Sequence, residues 1–176
     1  MMKPIATAAL AALMTIAAPL AARAAEMLQE GQAMPSFELV DHEGRTVRSS
    51  DLAGKRYLLW FYPKAMTQGC TIEAQGLRDN HAELEKAGVV VLGVSFDAPA
   101  ENKRFVEAES LPFRLLSDQD RKLALAVGAA DAADARTARR ISYLVGADGK
   151  VVKAYASVEP GTHAAQVLAD CGGGTT

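Results

Sequence analysis

Two cysteines, Cys70 and Cys171, carry the thiol chemistry open to this chain. The thiolate is the reactive form of cysteine, so each residue matters only where its surroundings favour the anion. Around Cys70 they do. Tyr57-Leu-Leu-Trp-Phe-Tyr62 is apolar without alternation, as expected for a strand covered on both faces, and Pro63 ends it. From Thr67 the spacing of Glu73, Leu77, His81, Leu84 and Gly88 becomes helical, which predicts one helix closed at Gly88. Cys70 is therefore expected across a loop from the end of a buried strand, in the first turn of a helix. Unpaired N–H groups and the helix dipole stabilise an anion there. Thr67 offers a hydroxyl three residues earlier, Gly69 opens the backbone, and Pro63 withholds an N–H and shields the loop. An inert buried cysteine would need none of these neighbours.

The run Pro63-Lys-Ala-Met-Thr67-Gln-Gly-Cys70 resembles the Pro-x-x-x-Thr-x-x-Cys signature of peroxiredoxins. The longer stretch Phe61 to Ala74, with Leu77-Arg78-Asp79 after it, is similar to the peroxiredoxin Q, or bacterioferritin comigratory protein, group, and the likeness extends from about Pro35 to the final helix. The resemblance implies a thioredoxin-like peroxidase that reduces hydrogen peroxide and organic hydroperoxides in antioxidant defence. Cys70 would be the peroxidatic thiolate, oxidised to sulfenic acid while water or an alcohol leaves. Thr67 and backbone N–H groups would hold the peroxide. Arg140, in Arg139-Arg-Ile-Ser142, matches the family's active-site arginine, with Arg139 turned the other way by strand alternation. Glu73, one helical turn past Cys70, matches an acidic position that could orient the arginine; it is equally well explained as an acid favoured at a helix start.

One departure from the family stands at Gln75. Many relatives place a resolving Cys five residues after the peroxidatic one, roughly 140° around the helix. Two routes back to the thiol follow: direct reduction by a small thiol or a thioredoxin-like protein, or recruitment of Cys171 from the Gly-rich tail. The first is preferred here, since nothing in the sequence brings the tail to Cys70.

Lys3, the Ala-rich run Ile5 to Leu20 and Ala22-Arg23-Ala24 read as a signal peptide cleaved after Ala24, leaving one domain over 25–176. The apolar run is short and weakly hydrophobic for a membrane anchor. An exported, periplasmic or secreted domain without stable membrane association is expected, as a monomer or weak dimer. Of 176 residues, 49% are hydrophobic, enough for one core, and 19 basic against 21 acidic side chains announce no nucleic-acid partner. The distant cysteine pair could also be a structural disulfide in an oxidising compartment, a staple this much core does not need.

The elements that must position Cys70 alternate. A hairpin is predicted from Pro35 to Arg48 about Asp41-His-Glu-Gly44, then a capped helical turn from Ser49 to Gly54. Val89 to Phe96 reads as a second buried strand, followed by a helix announced by Asp97 and Pro99 with the charged run Glu101 to Glu107 on its solvated face. Arg114 to Leu116 is a short strand, Asp118 starts a helix to about Val127, and Ala129 to Ala138 is a loop or broken helix. Ile141 to Val145 and Val151 to Tyr155 pair about Asp148-Gly149, and Thr162 caps a last helix reaching Asp170, with a loose tail from Gly172. This pattern predicts an α/β thioredoxin-like fold, a mixed central sheet with helices on both faces.

His42, His81 and His163 lack a second ligand at metal spacing and are expected to be exposed or capping. Trp60 and Tyr62 are assigned to core or pocket wall. No cofactor and no metal is implied. The competing function, a thioredoxin-like thiol-disulfide oxidoreductase, needs Cys-x-x-Cys, and Thr67 occupies the place of its first cysteine.

Overall fold

The computed structural model describes residues 26–172. The proposed leader, its cleavage point and the tail beyond Gly172 lie outside them. Seven strands form one sheet in the order β2-β1-β5-β4-β3-β6-β7. Strand β3 (Arg56–Phe61) lies inside the sheet, parallel to β4 (Val89–Ser95) and antiparallel to β6 (Ile141–Val145). Strand β4 in turn pairs in parallel with β5 (Arg114–Ser117). The terminal hairpin adds β7 (Val151–Tyr155) to β6. The opening hairpin, β1 (Glu38–Asp41) and β2 (Thr46–Arg48), joins the same sheet because β1 runs antiparallel to β5.

The absence of alternation in β3 has the expected cause. Tyr57, Leu59 and Phe61 enter one core, and Leu58, Trp60 and Tyr62 enter the core on the other face. Helices α1 (Gln68–Asp79), α2 (His81–Lys86), α3 (Pro99–Glu109) and α5 (His163–Gly172) contribute Leu77, Leu84, Phe105 and Val167 to the second core. The first core is closed by Leu52 of a 3₁₀ turn (Ser49–Leu52), by α4 (Lys122–Ala126) and by Ala129, Ala130 and Ala138 of the irregular segment between α4 and β6. Gly93 of β4 is required where the sheet meets the second core, since a Cβ there would stand 2.4 Å from Leu115 and 3.0 Å from Trp60.

Three local expectations are corrected. The helix expected from Thr67 to Gly88 is two helices: Asn80 takes φ −101° and ψ 7° between them, and its side-chain amide donates to the Gly76 carbonyl (2.8 Å). Helical apolar spacing continues across this break, so periodicity could not reveal it. Helix α4 is shorter than expected because Asp118 spends its carboxylate on the N–H groups of Leu123 and Ala124, and Arg121 is left-handed at φ 59°. Helix α5 runs to Gly172, past the expected end at Asp170; Thr162 stands at its start, its carbonyl accepting the Gln166 N–H (3.1 Å) while its hydroxyl donates back to the Glu159 carbonyl (3.5 Å).

Candidate active site

Cys70 is the third residue of α1 and fully buried. Thr67 is extended at φ −85°, ψ 151° and accepts the first helical hydrogen bond, from the N–H of Thr71 (2.8 Å). The first-turn N–H groups, that of Cys70 included, have no intrahelical acceptor and face the loop. The loop is compact. Half-buried Pro63 leaves β3, Met66 reverses the chain in the left-handed region at φ 61°, and the Thr67 hydroxyl donates to the Lys64 carbonyl (2.8 Å). A non-glycine residue in that region carries roughly 1–2 kcal/mol of strain. Asp97, at the end of β4, holds the turn from below: it accepts the Ala65 N–H (2.8 Å), pairs with Lys64 (3.1 Å) and accepts the Ser95 hydroxyl (3.0 Å).

Arg140 enters from the start of β6, the strand beside β3. Its Nη2 lies 3.3 Å from the Cys70 Sγ, and its Nη1 is ion-paired with Oε2 of Glu73. Gly69 makes room for this crossing, as a Cβ there would be 3.0 Å from Nη2. Arg139 turns away, as alternation requires, and donates to the Gly128 carbonyl (3.1 Å). Of the two explanations for Glu73, the structure supports the arginine partner: the carboxylate is 1% exposed and points inward.

His163 is the correction among the histidines. It opens α5, is fully buried, and sets Nε2 3.0 Å from the Ser142 hydroxyl and 3.9 Å from Oε1 of Glu73. Docking of α5 on α1 buries it, and nothing local to Thr162-His163 signals that. Burial, with Arg140 nearby, lowers its pKa to about 4, so the ring is neutral. Burial raises Glu73 to about 7, against the pull of the Trp60 indole N–H and of Arg140. The indole lies outside hydrogen-bonding geometry: Trp60 Nε1, Glu73 Oε1 and His163 Nδ1 are the buried side-chain polar atoms without a hydrogen-bond partner among the described residues. His42 and His81 are not freely exposed either. His42 accepts the Leu115 N–H (3.2 Å), and His81 lies near Glu85 (3.7 Å) and Phe113.

A buried polar chain beneath the site was not visible in the sequence. The Tyr62 hydroxyl donates to Oδ1 of Asn102 (2.7 Å), which lies 3.3 Å from the Ser95 hydroxyl oxygen, while the Asn102 amide donates to Ser117 (3.2 Å). Burial, with the negative charge of Asp97 and Cys70, pushes the Tyr62 phenol well above its usual range. Asn102 sits within the charged run of α3, where composition predicted only a solvated face.

Cys171 lies elsewhere. Its carbonyl accepts from Arg56 (3.5 Å), the first residue of β3, whereas Cys70 follows that strand's last residue. Six strand residues span about 17 Å, and disulfide formation needs Cα atoms within about 7 Å. Both thiols are free, and burial raises that of Cys171. Gln75 meets no thiol. Its amide donates to Glu109 of α3 (2.8 Å), and Arg78 donates to the Glu109 carbonyl (2.8 Å), tying α1 to α3. Among the described residues, no cluster of three or more His, Cys, Asp or Glu side chains is arranged to hold a metal ion.

A thiol at a helix start, held by an arginine at the loose end of a parallel strand pair, defines a thiol-based redox enzyme. Residues 31–154 match the AhpC/TSA family, and the chain belongs to it. It is 44% identical to peroxiredoxin Bcp of Escherichia coli K12 over 146 residues, 80% of this chain and 94% of that protein. Peroxiredoxin Bcp of Bacillus subtilis is 36% identical over 80% of this chain and 93% of its own length. Among solved structures, peroxidoxin BcpB of Mycobacterium tuberculosis superposes with a TM-score of 0.78, at 28% identity, covering 85% of this chain and 99% of that one. Peroxiredoxin Q of Xanthomonas campestris does so at 0.73, with 30% identity and coverages of 78% and 90%. A second structure from that organism, at 0.73, 29% identity and the same coverages, is of bacterioferritin comigratory protein and concerns its alkyl peroxide reduction activity. The chain is thus a thiol-dependent peroxidase, with a peroxide as substrate and a thiol as reductant.

Proposed function

We propose that Cys70 is the peroxidatic thiol and that Pro63, Thr67 and Arg140 complete its site. The observation that carries this is the 3.3 Å approach of the Arg140 Nη2 to the Cys70 Sγ at the N-terminus of α1. The thiolate attacks the terminal peroxide oxygen, the S–O bond forms as the O–O bond breaks, and the alkoxide or hydroxide leaves to take up a proton. With its proton donated to the Lys64 carbonyl, the Thr67 oxygen is left to accept the peroxide O–H. The Cys70 N–H and Arg140 stabilise the charge that spreads over the breaking bond. Pro63 shields the sulfur's side of the loop. Hydrogen peroxide and organic hydroperoxides are the substrates, the latter supported by the Xanthomonas relative's alkyl peroxide activity.

The sulfenic acid returns to thiol by direct attack of an external reductant, a small thiol or a thioredoxin-like protein. Gln75 at the fifth position and the anchoring of Cys171 near Arg56 support this one-cysteine cycle. The enzyme acts as a monomer or weak dimer, in keeping with large exposed apolar side chains spread over β1, the active-site loop, α1, β4 and β7. It works after export, with residues 1–24 removed; Lys3, the Ala-rich run and Ala22-Arg23-Ala24 support that placement.

Peroxide consumption tests the assignment. With dithiothreitol as reductant, the wild-type protein is expected to turn over and Cys70→Ser to be inactive, while a serine variant that retains turnover would overturn it.

A further inference from the structure

The buried site holds one cation and room for two anions. Arg140 faces both the Cys70 sulfur and the Glu73 carboxylate, and both groups are withdrawn from water. With Cys70 a thiolate and Glu73 ionised, one of the two negative charges is uncompensated, which burial penalises heavily. Among the described residues, the surroundings of Glu73 supply no second cation. From α5 comes His163, kept neutral by burial and by Arg140; from β3 comes the neutral Trp60, with Tyr62 stacked behind it; from β6 and the residue before it come the Ser142 hydroxyl and Arg140; Tyr155 of β7 packs edge-on to His163 at 5.1 Å. Glu73 Oε1, buried without a hydrogen-bond partner and near the equally unpartnered Trp60 Nε1, marks a position whose hydrogen bonding changes with protonation.

We propose that Glu73 carries a proton on the side facing His163 while Cys70 is a thiolate, and surrenders it when Cys70 becomes a sulfenic acid. This rests on Cys70 being the peroxidatic thiol. The balance is closed within the site. Cys70 thiolate, hydroperoxide and Glu73 carboxylic acid give Cys70 sulfenic acid, alcohol and Glu73 carboxylate: sulfur gives up two electrons, the peroxide bond accepts them, and the proton that the carboxyl releases balances the one that the alkoxide takes up. Before the reaction Arg140 Nη1 donates to a neutral carboxyl, so its charge serves sulfur and peroxide; afterwards that charge is taken up by the ionised Glu73. Glu73 is a positioning residue and a proton store, and His163, with Nε2 3.9 Å from Oε1, is the neutral wall that leaves the proton on the carboxyl. Burial, which brings Glu73 to about 7, supports a store that works near neutrality.

Trp60 is the chain's single tryptophan and its indole N–H faces Glu73, so its fluorescence reports the carboxyl directly. The reduced wild-type protein is titrated from pH 5 to 9, beside Glu73→Gln and Cys70→Ser. The expected result is an emission transition centred near pH 7 that Glu73→Gln abolishes, and that Cys70→Ser retains with its midpoint lower by about one unit or more, as loss of a neighbouring anion requires. A transition that vanishes in Cys70→Ser belongs to the thiol and overturns the proposal, as does a midpoint that the serine leaves unmoved. The comparison with Cys70→Ser stands whether or not the glutamine variant folds. Failure of Cys70 to react with peroxide would refute the peroxidatic assignment while leaving this titration intact, so the two failures are distinguishable.

Discussion

Arg140 crosses Gly69 so closely that a Cβ at position 69 would stand 3.0 Å from its Nη2, the atom that reaches the Cys70 sulfur. The glycine before Cys70 is thus a steric allowance for the arginine. Gly69→Ala is expected to fold, alanine being the better helix former, and to displace the guanidinium by a few tenths of an ångström. Its peroxide oxidation rate should fall about tenfold, measured by stopped-flow with unchanged thermal stability, since small misplacements are costly in an aligned site.

Arg140→Lys keeps the charge and loses the fork that spans Cys70 and Glu73. The rate of Cys70 oxidation should drop on the order of 10²-fold, as for removal of a preorganised donor. A competition assay against a peroxidase of known rate checks this.

Asp97→Ala removes the acceptor of the Ala65 N–H and the partner of Lys64 and Ser95. A loss of about 1–3 kcal/mol in urea unfolding is expected from the stranded buried donors, with slower oxidation because the loop carrying Thr67 loosens.

The site was legible in the sequence where its parts are local. Pro63, Thr67 and Cys70 lie within eight residues of one strand-loop-helix, whereas Arg140, seventy positions on, is singled out only by its match to the family's arginine. Asp97, Asn102 and His163 were not legible, because each becomes buried and partnered only when distant elements pack. Asn102 lies among charged residues of α3 and meets Tyr62 forty positions away; His163 meets Glu73 only through the docking of α5 on α1. The fold followed from unalternating apolar strands, whereas the break at Asn80 turns on one side-chain amide that apolar periodicity does not register.

Stability should depend on pH through Glu73 and His163 in opposite senses. Glu73 is raised from 4.5 to about 7, so its contribution is full below pH 4.5 and is lost as pH rises through about 7. His163 is lowered from 6.5 to about 4, so its contribution is full above pH 6.5 and is lost as pH falls through about 4. Glu73→Gln removes the first dependence alone. Relative to wild type it should gain on the order of 3 kcal/mol between pH 4.5 and 8, read from urea unfolding at several pH values, and a constant difference would contradict the ionisation of Glu73 in this range.

Cys171→Ser should leave Cys70 oxidation and dithiothreitol-supported turnover unchanged, since Cys171 is anchored at the opposite end of β3. Non-reducing mass analysis of the oxidised wild type should find no Cys70–Cys171 disulfide.

The most direct measurement treats the reduced protein with sub-stoichiometric hydrogen peroxide in the presence of a dimedone-type reagent and locates the adduct by peptide mass. Cys70 should carry the label in proportion to the peroxide added, with Cys171 unmodified; an unlabelled Cys70, or a label confined to Cys171, would contradict the assignment of Cys70 as the peroxidatic thiol.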